Sequence, residues 1–269
     1  MITGELALGV DGPVGAAAAA VAANDDGLWP VLRREALEAT VREPGLARFL
    51  GAAVLHHDGA AAALASHLGR LLGERDFEAA LVGDICAEAF AADPSAVRSF
   101  EQDMRAVAGR DPACRSFLQP FLFFKGVAAL QAHRVAHWLW MQGRETSAFY
   151  LQSRVSARLQ VDIHPAASLG AGILLDHATG IVIGETSVVG DDVSILQSVT
   201  LGGTGKECGD RHPKVGRGAL LGVGAKILGN IVIGKEARVA AGSVVLRDVP
   251  AYSTVAGVPA RIVRGPPSA

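Results

Sequence analysis

VDIHPAASLGAGILLDHATGIVIGETSVVGDDVSILQSVTLGGTGKECGDRHPK, residues 161–214, carries two signals at once. An apolar residue returns every six positions, at Ile163, Leu169 and Leu175, then at Ile183, Val189, Ile195 and Leu201. The beat resumes at Leu221, Ile227, Ile233, Val239 and Val245, and glycine often takes the next place. A fixed period this short is the mark of a solenoid. Six residues cannot hold a helix, so each unit is one short strand and one turn. Three units make one triangular coil, as from Leu221 to Val239. A coil then buries three aliphatic side chains, about 5–9 kcal/mol before entropy at roughly 1.5–3 kcal/mol apiece. One coil cannot offset the cost of its own ordering, so coils must stack, and the length available allows about five.

The beat breaks twice. From Leu175 to Ile183 the step is eight, filled by Asp176-His177-Ala178-Thr179-Gly180. From Leu201 to Leu221 it is 20 where 18 would keep time. The polar, glycine-rich stretch 204–218 there reads as an excursion carrying Asp210-Arg211-His212-Pro213-Lys214. Solenoids place such insertions on the binding face. His177 is the candidate base, because an unperturbed imidazole titrates near neutral pH. It needs a carboxylate to fix its tautomer. Asp176 is its neighbour, but neighbours on a strand point to opposite faces. Asp162, just under one coil earlier, is expected on the coil below and is the preferred orienting group. Asp176 could pair with a substrate ammonium. Arg211 with His212 offers a fork for a substrate carboxylate. Taken singly, these residues read as turn aspartates and surface histidines. Gathered at both interruptions, they read as a site. A zinc site from His164, His177 and His212 is the alternative, which their spacing does not force.

Upstream the composition changes. From Leu28 to about Gln160, Ala, Leu, Glu and Arg dominate and β-branched runs are absent, which predicts about five to seven helices. In the clearest, Phe124, Val127, Ala128, Val135, Trp138 and Leu139 fall within about 120° of one another. Phe117, Phe121, Phe123 and Trp140 make this region apolar on more than one face, so it is central or covered by another subunit. His133 and His137 have metal-pair spacing without a third ligand and read as partly exposed structural residues; His56-His57 reads as surface. Residues 1–26, with GAAAAAVAA at 15–23, form a low-complexity leader; Glu5 and Asp11 precede the run, so it lacks the positive start of a secretory signal. The net charge of −2, from 25 basic and 27 acidic residues, gives no basic surplus for nucleic acid or an anionic membrane. No apolar run approaches a membrane span of about 20 residues. Cys86, Cys114 and Cys208 are odd in number and far apart, as expected of reduced thiols in a cytoplasmic protein.

The stretches DIHPAA, LDHATGIVIGET, DVSILQSVTLGGTGK, GDRHPK, GAKILGN, AGSVVL and AGVPARIV resemble the serine O-acetyltransferases of the hexapeptide-repeat acyltransferase superfamily. RDPACRSF (110–117) and KGVAALQAHRVAHWLW (125–140) extend the resemblance into the helical half, so that it spans about residues 28 to 264. It implies an α+β chain: an all-helical oligomerisation domain (27–160), a catalytic left-handed parallel β-helix (161–264) and a short tail (265–269). The implied reaction is acetyl transfer from acetyl-CoA to the hydroxyl of L-serine, the first step from serine toward cysteine, with no metal. His177 would be the base and Asp162 its support. Asp111 and Asp176 would contact the amino acid, with Arg211 and His212 at its carboxylate. Gly203, Ala225, Lys226, Ser243 and Arg261 would contact the CoA arm. Three chains would form a trimer with sites between subunits, two trimers a hexamer, and L-cysteine would inhibit by feedback. Relatives that dock cysteine synthase use a flexible tail ending in isoleucine; Gly265-Pro266-Pro267-Ser268-Ala269 departs from that pattern, which argues against stable docking. The alternatives are another acceptor or donor on the same scaffold, such as homoserine or succinyl-CoA, and a zinc-dependent carbonic anhydrase.

Overall fold

A computed structural model describes residues 27–206 and 208–266. The leader 1–26 and tail residues 267–269 lie outside the described residues. The chain is helical through Leu159 and a parallel β-solenoid from Val161, the expected fold class. The helices are α1 (Leu28–Arg42), α2 (Ala47–Leu50), α3 (Ala60–Leu72), α4 (Asp76–Ala92), α5 (Pro94–Arg110), α6 (Leu118–Phe123), α7 (Lys125–Met141) and α8 (Glu145–Leu159). Six of them run 13 to 17 residues. Local chemistry sets their ends. Asp93 caps α5 by accepting from Ser95 N, with Pro94 opening the first turn. Gln160, left-handed at φ 57°, stops α8 one residue before the first strand.

Three parallel sheets wrap the prism. The first face stacks β1 (Val161–Ile163), β4 (Ile181–Ile183), β7 (Thr200–Gly202), β10 (Lys226–Leu228) and β13 (Val244–Val245). The second stacks β2 (Ser168–Leu169), β5 (Val188–Val189), β8 (Lys214–Val215) and β11 (Val232–Ile233). The third stacks β3 (Leu174–Asp176), β6 (Ser194–Leu196), β9 (Leu220–Leu221), β12 (Arg238–Val239) and β14 (Thr254–Gly257), and β15 (Ala260–Arg264) closes it antiparallel. The six-residue beat is the core: Ile183, Leu201 and Ile227 stack in register, as do Val189, Val215 and Ile233, and Ile195, Leu221 and Val239, all buried. Glycine follows the apolar residue because the coils are close. A Cβ on Gly216 would lie 2.7 Å from Lys235 N, in the next coil.

Register defines both interruptions. Asp176 pairs with Leu196 and Val182 with Thr200, so the first coil holds two residues that the second lacks. They are His177 and Ala178, both left-handed at φ 53° and 61°. At the second interruption Leu201 pairs with Ile183 and Val215 with Val189. Leu221 therefore belongs to the same coil as Leu201, two faces on, where two plain repeats would serve. The excursion is eight residues longer than a plain turn, larger than the step of 20 against 18 suggested. A sixfold period cannot tell one face from the next.

The helices cap the first coil. Both α5 and α7 pack on β3, and α7 and α8 pack on β1. Asp103, 1% exposed, accepts from Gln131 Nε2 (2.8 Å), Arg134 Nη2 (2.8 Å) and Ile173 N (2.9 Å). Arg134 also donates to the Gly170 carbonyl (2.8 Å). Helix α7 touches α4, α5, α6 and α8 as well as the solenoid, so it is central. Phe117 and Phe121 are accordingly buried within the chain, and Phe123 remains exposed. His133 corrects the expectation of partial exposure. It is buried, its pKa is lowered to about 3 by loss of solvent, and its Nδ1 has no partner among the described residues. Among the described residues no helix is long and apolar enough to cross a membrane.

Candidate active site

The edge between the third and first faces carries the two-residue insertion. The left-handed column along this edge is Gln160, Gly180, Ser198, Gly224 and Gly242, one per coil. His177 and Ala178 are left-handed in addition to it, which costs a non-glycine residue on the order of 1–3 kcal/mol. The turn throws Ala178 inward, where it is buried, and leaves the His177 side chain 73% exposed. His177 lies past the end of β3, so strand alternation does not separate it from Asp176. Its Nε2 is 3.9 Å from Asp176 Oδ1. Lys125, opening α7, donates to Thr179 Oγ1 and ties this turn to the helical region.

Asp162 stands differently from the spacing argument. It lies at the start of the same coil as His177, on β1, and points outward between buried Val161 and Ile163. Asp162 pairs with Val182, 20 residues on, so the step of 15 to His177 does not complete a turn. The His177 turn passes over the start of β1, where Gly180 N donates to Gln160 O (2.7 Å). Asp162 Oδ1 accepts from Gln152 Nε2 of α8 (2.6 Å), and among the described residues no hydrogen bond joins it to His177. Asp111 follows α5, which packs on β3, and its Oδ1 accepts from Ala113 N (2.8 Å).

Arg211 and His212 occupy the other edge of the first face, where it meets the second. The register that pairs Val189 with Val215 sets Glu185-Thr186 directly beneath them. Arg211 Nη2 donates to Glu185 Oε2 (2.6 Å), which holds the Glu185 carboxyl below its ordinary range. His212 is buried, and its pKa is lowered first by burial and then by Arg211. Its ring lies on Gly184, where a Cβ would come within 2.0 Å of Cδ2. Lys214 Nζ braces the excursion through Asp210 (2.6 Å) and the Thr186 and His212 carbonyls (2.9 and 2.7 Å). Within one chain, then, Asp176 and His177 mark one edge of the prism and Arg211 and His212 another. His164 lies on the second edge, against Trp140 and Phe149, as a turn residue. Glu185, Thr186 and Gln152 escaped the sequence reading. Glu185 and Thr186 become visible only once the excursion is known to be eight residues.

Of the residues expected at a CoA arm, Ala225 and Ser243 are fully buried within the single chain, and Ser243 Oγ accepts from Gly257 N (3.3 Å). Lys226 Nζ donates to Ser198 O (2.5 Å) and Thr200 Oγ1 (3.1 Å). Arg261 is exposed on β15, and Gly203 opens the excursion beside Arg211.

Stacked six-residue rungs behind a helical cap define a hexapeptide-repeat transferase, and residues 212–247 match the family model "Bacterial transferase hexapeptide (six repeats)". Residues 28–132 match "Serine acetyltransferase, N-terminal". The chain is 52% identical over 241 residues to a serine acetyltransferase of Salmonella typhimurium, covering 90% of this chain and 88% of the relative. A crystal structure of a Brucella abortus serine acetyltransferase in complex with coenzyme A superposes with a TM-score of 0.87 at 50% identity, covering 90% of this chain and 96% of that one. A soybean serine acetyltransferase complexed with serine superposes with a TM-score of 0.85 at 51% identity, covering 87% and 97%. The chain belongs to the serine acetyltransferase family.

Proposed function

We propose that the chain transfers the acetyl group of acetyl-CoA to the hydroxyl of L-serine, with His177 as general base. The observation that carries this role is the insertion itself. A histidine held left-handed and open, at a break in an otherwise regular coil, is strain that the fold has no use for. His177 takes the serine hydroxyl proton, the oxygen attacks the thioester carbonyl, and the carbon–sulfur bond breaks. The proton then passes to the departing CoA sulfur. Asp162 orients the imidazole in this reading. Asp176 and Asp111 receive the amino acid, and Arg211 with His212 receives its carboxylate. A base of this kind contributes about 10²–10⁴ in rate.

The two half-sites lie on different edges of one prism, so we place the complete site between adjacent chains of a trimer. Outward apolar side chains on the coils, Val182, Val188, Val232 and Leu246, fit such a contact. Residues 27–160 would then serve oligomerisation, joining two trimers, and 161–264 catalysis. Cysteine, which shares the amino and carboxyl groups of serine, would compete at the same site, and the protein would work in the cytoplasm.

Thiol release from acetyl-CoA with serine, with and without cysteine, tests the activity. Faster turnover of homoserine or succinyl-CoA would overturn it. His177→Ala should abolish most turnover with the assembly intact, and near-normal kcat would remove His177 as the base. Asp162→Asn should lower kcat, whereas Asp176→Asn should raise the KM for serine.

A further inference from the structure

Thr186 Oγ1 makes three polar contacts at the Arg211–His212 edge. It accepts from Arg211 N (3.0 Å) and from His212 N (3.0 Å), and it meets His212 Nδ1 at 2.9 Å. A hydroxyl has two lone pairs and one hydrogen. Main-chain N–H groups can only donate, so both lone pairs are taken. Its one hydrogen lies between two acceptors, His212 Nδ1 and the Asp210 carboxylate, whose pKa the Thr186 hydroxyl helps to lower. The main-chain N–H of Thr186 points at Nδ1 (3.2 Å), which makes that nitrogen an acceptor. The Asp210 carboxylate also accepts from Lys214 (2.6 Å) and Asn230 (3.3 Å), so the main-chain N–H of Thr186 is the contact that settles Nδ1 as the acceptor. Neutral His212 therefore keeps its hydrogen on Nε2. That nitrogen has no protein partner among the described residues and is not sealed from solvent. The ring occupies the space that a Cβ on Gly184 would take.

We infer that Thr186 is a positioning residue that fixes His212 as an Nε2–H donor, able to bind a substrate oxygen and unable to act as a base. The same hydroxyl holds the main chain of Arg211. One side chain in the coil below thus sets both groups that would meet the substrate carboxylate. The inference rests on the proposed function only in naming that carboxylate as the oxygen bound.

Nitrogen-15 NMR of the full chain without substrate reads the tautomer directly, with His212→Gln giving the assignment. Wild type and Thr186→Ser should both show His212 protonated at Nε2 alone at neutral pH. Thr186→Val, isosteric but without the hydroxyl, keeps the main-chain N–H and should let the Nδ1–H tautomer appear beside Nε2–H. It should also raise the KM for serine about tenfold to a hundredfold and leave the KM for acetyl-CoA within about twofold, whereas Thr186→Ser should keep the wild-type values. A wild-type His212 protonated at Nδ1, or a valine variant unchanged in both readouts, overturns the inference. If no variant turns over serine, the proposed activity fails while the NMR arm still decides the tautomer.

Discussion

Ile227 and Asp103 are both buried, and they hold the molecule by opposite means. Ile227 sits on the first face between Leu201 and Val245, and its surroundings recur one coil below and one coil above. Asp103 has no counterpart. Its carboxylate gathers Gln131, Arg134 and the main chain of Ile173, and so seats the helical region on the first coil. The solenoid spreads its stability over many equivalent contacts, whereas the helical cap concentrates its placement in a few unlike ones. Damage should therefore be steep in the cap and shallow in the coils.

The steepest loss is expected at Asp103. Asp103→Ala leaves the Arg134 guanidinium, 10% exposed, without its partner, which costs about 3–5 kcal/mol. Urea unfolding should show this loss, and a cost below about 1 kcal/mol would mean that the cap does not depend on this pair. Acid should act next. The histidines whose pKa values fall furthest, His67 to about 4 and His133 to about 3, are both in the cap, both chiefly by burial. An unfolded imidazole titrates near 6.5, so between that pH and the folded value only the unfolded chain binds the proton. Stability is complete above about pH 6.5 and falls with pH below it, by up to roughly 1.4 kcal/mol per unit for each histidine. Thermal unfolding of wild type against His67→Gln and His133→Gln, from pH 7 to 5, checks the sign. Equal slopes in all three would exclude these groups as the cause.

The seam between the regions should respond in activity as well as stability. Gly126, in the first turn of α7, meets β3 so closely that a Cβ would lie 2.0 Å from the Leu175 carbonyl oxygen. Gly126→Ala should cost about 1–3 kcal/mol by overpacking. It should also displace the end of β3, which bears Asp176 and His177, and lower kcat. Gly45→Ala, where a Cβ meets nothing within 4 Å, should change stability by less than about 0.5 kcal/mol and leave turnover alone. If both variants behave alike, the cap does not set the position of His177.

This asymmetry also explains what could be read from the residues alone. The faces of the solenoid were legible because Ile183, Val189 and Ile195 each repeat one environment, and repetition survives in one dimension. His177 was legible because it interrupts that repetition. The size of the second excursion was not, since two repeats and three both preserve a beat of six, and with it went the placement of Glu185 and Thr186 under Arg211 and His212. His133 was misread because α7 is apolar nearly all round, so no polar face marked which histidine is inside. The Gln152–Asp162 contact joins a helix to a coil, and nothing periodic links the two.

The smallest effects test the comparison most sharply. Ile195, Ile227 and Ile233 are all fully buried, on the third, first and second faces in turn. Removing one methylene from each, as valine, should cost about 0.5–1.5 kcal/mol. Single costs vary with how far a site can relax, but these three sites are repeats of one geometry and relax in the same way. Their costs should agree within about 0.5 kcal/mol; Ile195→Val, two coils away, should add to either of the others, whereas Ile227→Val and Ile233→Val, inward neighbours in one coil, should couple. Leu64, Leu68 and Leu130, fully buried in the cap, have three unrelated surroundings, and substitution by alanine should scatter across about 2–5 kcal/mol. Unequal costs in the coils, or equal ones in the cap, would show that the repeat in sequence is not a repeat in energy.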